Sequence, residues 1–231
     1  AQAQVTNIPV YEPFNYPNNE RIGTAASSGA NWTVGNSAGT ASVTTTNGVS
    51  LSFPGLPAPT GIAAWFSPTQ PTSGRNRGLV FTSQTLSDLN PTLYYSFLIN
   101  VQANPGGLKQ IFALSTGTSS GPSTPMTVYL TADGKLALSK NSSSAASVTM
   151  ANALSAGTHL VVVRYKFVTG SSNDELALWV DPALGLAEGS VPAGDISTTS
   201  GSDATTILAL YMVHQTTPNP IGNFYVDELR I

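Results

Sequence analysis

The chain has 231 residues, a formal net charge of −3 and no cysteine. Only 9% of its residues are charged, against about 25% in an ordinary soluble domain. That balance excludes a disulfide framework and argues against a nucleic-acid partner, which needs a clustered basic face. The length suits one β-sandwich domain spanning 1–231, large enough to bury a core without covalent staples.

In chain order, Ala1-Gln2-Ala3-Gln4 is similar to the residues left around a signal-peptidase site. Export is therefore expected, to the medium or the cell surface. Residues 1–9 read as an extended N-terminal arm. Its apolar residues Val5 and Ile8, with Val10 just beyond, are the candidates for pairing with a neighbouring copy's sheet edge and building a fibre. The alternative is that 8–16 forms the first strand of the chain's own sheet.

Strand periodicity dominates the remainder. Leu93, Tyr95, Phe97, Ile99 and Val101 share one face. Met126, Val128 and Leu130 alternate with Thr127 and Tyr129, and after Asp133-Gly134 the pattern resumes at Leu136 and Leu138, predicting a hairpin. Val161, Val163, Tyr165 and Phe167 face one way, while Val162, Arg164, Lys166 and Val168 form a wet outer face. Leu176, Leu178 and Val180 predict the partner strand of a second hairpin over 160–180, with Trp179 on the opposite side. A short helix over 183–188 is weakly indicated. Ile207 to Val213 is the longest apolar run. It suits a buried strand and falls far short of the ~20 residues that span a bilayer, so no membrane insertion is expected. In the last strand the apolar parity changes between Val226 and Leu229; a bulge at Asp227-Glu228 would restore it, and burial of the strand on both faces is the other reading. Long Pro/Gly/Ser/Thr loops are expected at 54–60, 67–78, 117–125 and 190–205.

Chemistry-bearing motifs are sparse. Gly117-Thr118-Ser119-Ser120-Gly121 matches a nucleophile elbow in letters only, because no helix pattern follows it. His159 and His214 stand outside any metal-ligand spacing. Asp174-Glu175 and Asp227-Glu228 are adjacent carboxylates, and neighbours on a regular strand point to opposite faces, so neither pair straddles a bond. No catalytic residue, cofactor or metal site is therefore assigned. Of the metals, a structural calcium suits the chain best, with Glu12, Asp174, Asp181, Asp203 and Asp227 as the acids that could contribute. Of Trp32, Trp65 and Trp179, Trp179 is the candidate carbohydrate-binding residue, since an indole facing away from the core offers a stacking platform; a Trp buried under a loop is the alternative. Asn31-Trp32-Thr33 and Asn141-Ser142-Ser143 match the N-glycosylation pattern.

Several segments together resemble the concanavalin A-like, laminin-G-like jelly-roll domains of exported bacterial surface proteins. They are Val10-Tyr11-Glu12-Pro13-Phe14-Asn15-Tyr16-Pro17, Leu93 to Val101, Gly157 to Tyr165, Glu175 to Pro182 and the closing Tyr225-Val226-Asp227-Glu228-Leu229-Arg230-Ile231. The resemblance implies two antiparallel sheets with first and last strands adjacent, and extracellular adhesive, glycan-contacting or structural work rather than catalysis. The expected function is a non-catalytic structural or adhesive β-sandwich whose partner is itself or a surface glycan. A lectin-like carbohydrate-binding module is the alternative, and a polysaccharide hydrolase or lyase the least favoured reading.

Overall fold

The structure, a computed structural model, describes residues 7–23, 32–34, 43–46, 48–69, 75–85, 92–118, 124–142, 144–215, 217–218 and 220–231. Its strands are β1 (Tyr11–Glu12), β2 (Trp32–Val34), β3 (Thr44–Thr45), β4 (Ala64–Phe66), β5 (Arg75–Thr85), β6 (Thr92–Ala103), β7 (Lys109–Ser115), β8 (Met126–Leu130), β9 (Leu136–Lys140), β10 (Val148–Thr149), β11 (Thr158–Lys166), β12 (Glu175–Val180), β13 (Ile196–Thr198), β14 (Thr206–His214) and β15 (Asn223–Arg230). Among the described residues the one helical element is a single 3-10 turn, Glu188–Ser190, which meets the helix expected over 183–188 only at Glu188; residues 183–187 are turn and irregular chain.

All pairings are antiparallel and fall into two sheets. One runs β13-β12-β11-β6-β15-β4-β3, with β1 also paired to β15; the other runs β10-β9-β8-β7-β14-β5-β2. The alternating apolar residues of the two sheets face each other across one core. Tyr95, Phe97, Val163, Tyr165, Leu178 and Phe224 from the first meet Leu79, Phe112, Leu114, Val128, Leu138 and Met212 from the second. Phe97 and Phe112 touch across the gap with ring centroids 4.6 Å apart.

Both predicted hairpins form. β8 and β9 pair through Leu130 opposite Leu136, with Gly134 at φ +76° in the turn, a conformation glycine adopts without a Cβ clash. β11 and β12 pair from Val161 opposite Val180 to Lys166 opposite Glu175. The bulge also forms. The register of β15 on β6 shifts between Asp227 and Arg230, Glu228 takes φ +52°, and Val226 and Leu229 both reach the core.

Two expectations are corrected. The loop expected over 67–78 ends earlier, because β5 begins at Arg75. Asn76 and Arg77 are polar yet buried; the Arg77 side chain donates from Nε to the Ile22 carbonyl and from Nη1 to that of Asn76, 3.0 Å away. The outer face of β11 is not simply wet. Leu98 and Leu160 form a second apolar cluster with Leu51 and Ala63, and Phe53, Leu56 and Val162 pack against it, so the 48–63 segment roofs that part of the sheet.

Candidate functional site

A depression lies on the outer face of β11, β12 and β13, and strand register builds it. Tyr94 on β6 stands opposite Arg164 on β11, Arg164 opposite Ala177 on β12, and Ala177 opposite Ser197 on β13. The small Ala177 side chain leaves a low floor between the outward-pointing Glu175 and Trp179, two residues to either side on β12. A strap, residues 191–194, closes one wall. It can lie this close to β12 because of Gly194: a Cβ there would stand 2.9 Å from the Ile196 carbonyl oxygen and 3.0 Å from that of Leu178.

The resulting groove has a volume of about 440 Å³ and is bordered by Arg164, Glu175, Ala177, Trp179, Ser197 and Thr198 among others. That lies within the range of small-molecule sites, about 300–1,000 Å³. A second depression of about 250 Å³ lies beyond Trp179. It is more apolar, with Tyr94, Val162, Leu184, Leu186 and Pro192 on its walls.

Trp179 does face away from the core, but it is not on an open sheet. Only 5% of it is exposed, and its indole Nε1 donates to the Pro192 carbonyl at 3.0 Å. The strap and ring together divide the two depressions, so what the ring offers is an edge to each. The Arg164 guanidinium carbon sits 5.5 Å from the centroid of the Trp179 ring, within cation–π range. Arg164 Nη2 and Lys166 Nζ each approach Glu175 Oε2 at 3.4 Å. Tyr94 donates to Glu188 Oε1 at 3.1 Å. Burial raises the Tyr94 hydroxyl above its ordinary pKa, the Arg164 hydrogen bond working against it, so this side chain is a neutral phenol at physiological pH.

The assembly candidates are dispersed. Val5 lies outside the described residues. Ile8 is half-buried against the core. Val10 is a core residue whose amide donates to the Ile231 carbonyl at 2.8 Å and whose carbonyl accepts from the Ile231 amide at 2.9 Å. Val10 thus extends the ladder that β1 makes with β15, and a neighbour's strand would have to displace Ile231 to take the same groups.

The remaining candidates take structural positions. Trp32 stacks on Phe14, centroids 5.9 Å apart, and donates to Glu12 Oε2 at 2.9 Å. Trp65 donates to Asn223 Oδ1 at 2.7 Å. His159 Nδ1 meets Asp181 Oδ2 at 2.7 Å, and Asp181 Oδ1 accepts the Leu160 amide. His214 packs edge-on to Phe66 in the core, where burial and the nearby Lys109 charge push its pKa down to about 3. Burial also pushes Lys109 down, to about 7. Asp174 and Glu175 point to opposite faces as expected; Asp174 is buried on Tyr165 and Glu175 borders the groove. The acids proposed for calcium accept backbone amides or side-chain donors. Among the described residues no three His, Asp or Glu side chains converge as metal ligands. Ser119 to Gly121 and Asn31 lie outside the described residues. Asn141 is exposed at the end of β9.

Sequence reasoning singled out Trp179 but not Arg164, Glu175, Ala177 or Ser197 as one surface. The signal existed in the length of the turn between β11 and β12. It sets Tyr165 opposite Leu176 and therefore Arg164 opposite Ala177.

No family model matches the sequence, and no curated protein is similar to it in sequence. Solved structures do match in fold. A mutant alginate lyase in complex with alginate trisaccharide superposes with a TM-score of 0.54 at 14% identity, covering 96% of this chain and 98% of that one. The lectin UEA-II complexed with galactose gives 0.50 at 12% identity, covering 96% and 97%. Basic winged bean lectin with Tn-antigen gives 0.50 at 10% identity, covering 96% of each chain. At such identities the likeness is one of fold, and the two-sheet sandwich is a concanavalin A-like jelly roll.

Proposed function

We propose that this protein is a non-catalytic, glycan-binding β-sandwich that works outside the cell as an adhesive or structural component of a surface or matrix, in the manner of laminin-G-like domains. The carrying observation is the groove. It combines an aromatic edge (Trp179), a hydroxyl (Ser197) and a charged end (Arg164, Glu175) around a volume of about 440 Å³. Sugar recognition uses such a mixture: apolar ring faces pack on aromatic surface while hydroxyls meet fixed polar groups. Like-fold proteins bound to galactose, Tn-antigen and alginate trisaccharide are consistent with this reading. The argument against a hydrolase rests on chemistry. Glycoside hydrolysis uses two carboxyl groups about 5–10 Å apart, and Glu175 is the one carboxylate among the described residues that border the groove.

Binding is tested by polysaccharide pull-down followed by calorimetry. Trp179→Ala is expected to weaken binding at least about tenfold, or about 1.4 kcal/mol, by removing the stacking edge. Ala177→Leu, which fills the groove floor, is expected to do the same; because Ala177 is buried beneath the strap, the overpacking is also expected to lower unfolding stability by about 1–3 kcal/mol. If a broad polysaccharide panel shows no binding, or both variants bind like the parent chain, the proposal fails.

A further inference from the structure

We propose that the groove selects a carboxylated sugar, a uronate unit of an acidic polysaccharide, over its neutral counterpart. This rests on the glycan-binding reading and adds the chemical class of the ligand. The chain as a whole is acidic, with 12 Asp and Glu against nine Lys and Arg. The groove end runs against that balance. Arg164 and Lys166 are consecutive outward positions of β11, and both lean on Glu175, which stands opposite Lys166 in register. Arg164 and Glu175, the charged residues that border the groove, balance, and Lys166 beside them adds one positive charge on the same strand face.

Both contacts with Glu175 are long. At 3.4 Å each they exceed the 2.7–2.9 Å of a well-formed charge-assisted hydrogen bond, and exposed pairs of this kind contribute only about 0–1 kcal/mol. A ligand carboxylate displacing Glu175 from Arg164 therefore gives up little. The guanidinium itself is held in place. It lies over the Trp179 ring at 5.5 Å and beside Tyr94, which presents its planar fork at the groove edge. Planar two-point donation to a carboxylate is what arginine offers and lysine does not. The other nearby acids are already committed: Asp195 accepts the Val180 amide at 2.7 Å, and Glu188 accepts from Tyr94 on the far side of Trp179. Neither is among the residues bordering the groove.

The test uses the whole chain and matched probes: pectate, alginate and hyaluronan, each against its carboxyl-reduced form. At least one acidic polymer is expected to bind about tenfold more tightly than its reduced form, with affinity falling as salt rises. Arg164→Gln should abolish that preference. Glu175→Gln, which removes the competing carboxylate, should tighten binding to the acidic polymer about threefold or more, a gain that damage to the fold cannot produce. Equal or better binding of the reduced forms, or weaker acidic binding in Glu175→Gln, overturns the inference. Binding confined to neutral glycans overturns it while leaving the glycan-binding reading intact. Absence of binding to any glycan removes both.

Discussion

Replacing Lys140 by methionine is expected to cost about 3–5 kcal/mol of folding stability, the usual consequence of breaking a buried, hydrogen-bonded ion pair from one side. Lys140 ends β9 with its side chain fully buried, and it reaches from one sheet to the other. Its ammonium donates to Asp203 Oδ1 at 2.5 Å, to the Asp174 carbonyl at 3.0 Å and to the Thr199 carbonyl at 3.1 Å. Asp203 in turn accepts the amides of Asn173 at 3.1 Å and Asp174 at 2.9 Å. Burial alone would raise the Asp203 carboxyl; the hydrogen bonds from Lys140 and the two amides outweigh it and hold the pKa below its ordinary value. The network continues inward, with the Tyr165 hydroxyl donating to Asp174 Oδ2 at 2.5 Å and accepting the Ala204 amide at 3.0 Å. Methionine matches the length of lysine but leaves two carbonyls and a carboxylate without their shared donor. The loss is a large part of the 5–15 kcal/mol typical of a folded domain. Urea unfolding at pH 7 checks it, and a loss under about 1 kcal/mol would show that the clasp carries little of the fold's stability. The chain also makes room for Lys140: Gly201 has φ +129°, and a Cβ there would stand 2.6 Å from the Lys140 carbonyl oxygen.

The second large effect is a pH dependence. Asp227 lies in the bulge of β15, fully buried, accepting the amides of Leu51 and Glu228 at 2.8 Å each. Burial raises its carboxyl to about 6, the two amide bonds opposing and the Glu228 charge adding to the rise. The folded state therefore binds this proton more tightly than the unfolded chain. The stabilisation is complete below the ordinary aspartate value near 4 and is lost as pH rises through 6. A rise of about two pKa units corresponds to about 3 kcal/mol. Asp227→Asn cannot take up the proton. Between pH 7.5 and pH 4 the parent chain should gain about 2 kcal/mol of those 3 relative to this variant, whatever the offset between them at pH 7.5. Denaturant titrations of both proteins across that range measure the difference. Parallel stability curves would mean that Asp227 ionises normally in the fold.

The architecture was legible because half-buried strands write their burial into the sequence with period two. β6, β8, β9, β11 and β12 each show it, and even the bulge of β15 is visible as the parity change between Val226 and Leu229. β5 was partly misread for the same reason: Arg75-Asn76-Arg77-Gly78 carries no apolar alternation, and burial of Arg77 depends on the Ile22 carbonyl, 55 residues away in sequence. The candidate site was legible only in part. Alternation placed Trp179 outward, but periodicity reports which face a residue occupies and not what lies over that face. The strap over Trp179 and the 48–63 roof over Leu98 are loop placements set by long-range packing. The Lys140–Asp203 clasp escaped for a related reason, since its partners are 63 residues apart and meet only when the two sheets stack.

The rung between Val10 and Ile231 sets residues 10–12 and 229–231 side by side. Tension drawn between them would peel β1 from β15 like a zipper, parting Val10 from Ile231, then Tyr11 from Arg230, then Glu12 from Leu229. Hydrogen bonds opened in turn resist far less than bonds sheared together, so this pairing yields most easily to a pull that separates Val10 from Ile231 and best withstands one directed along the strands.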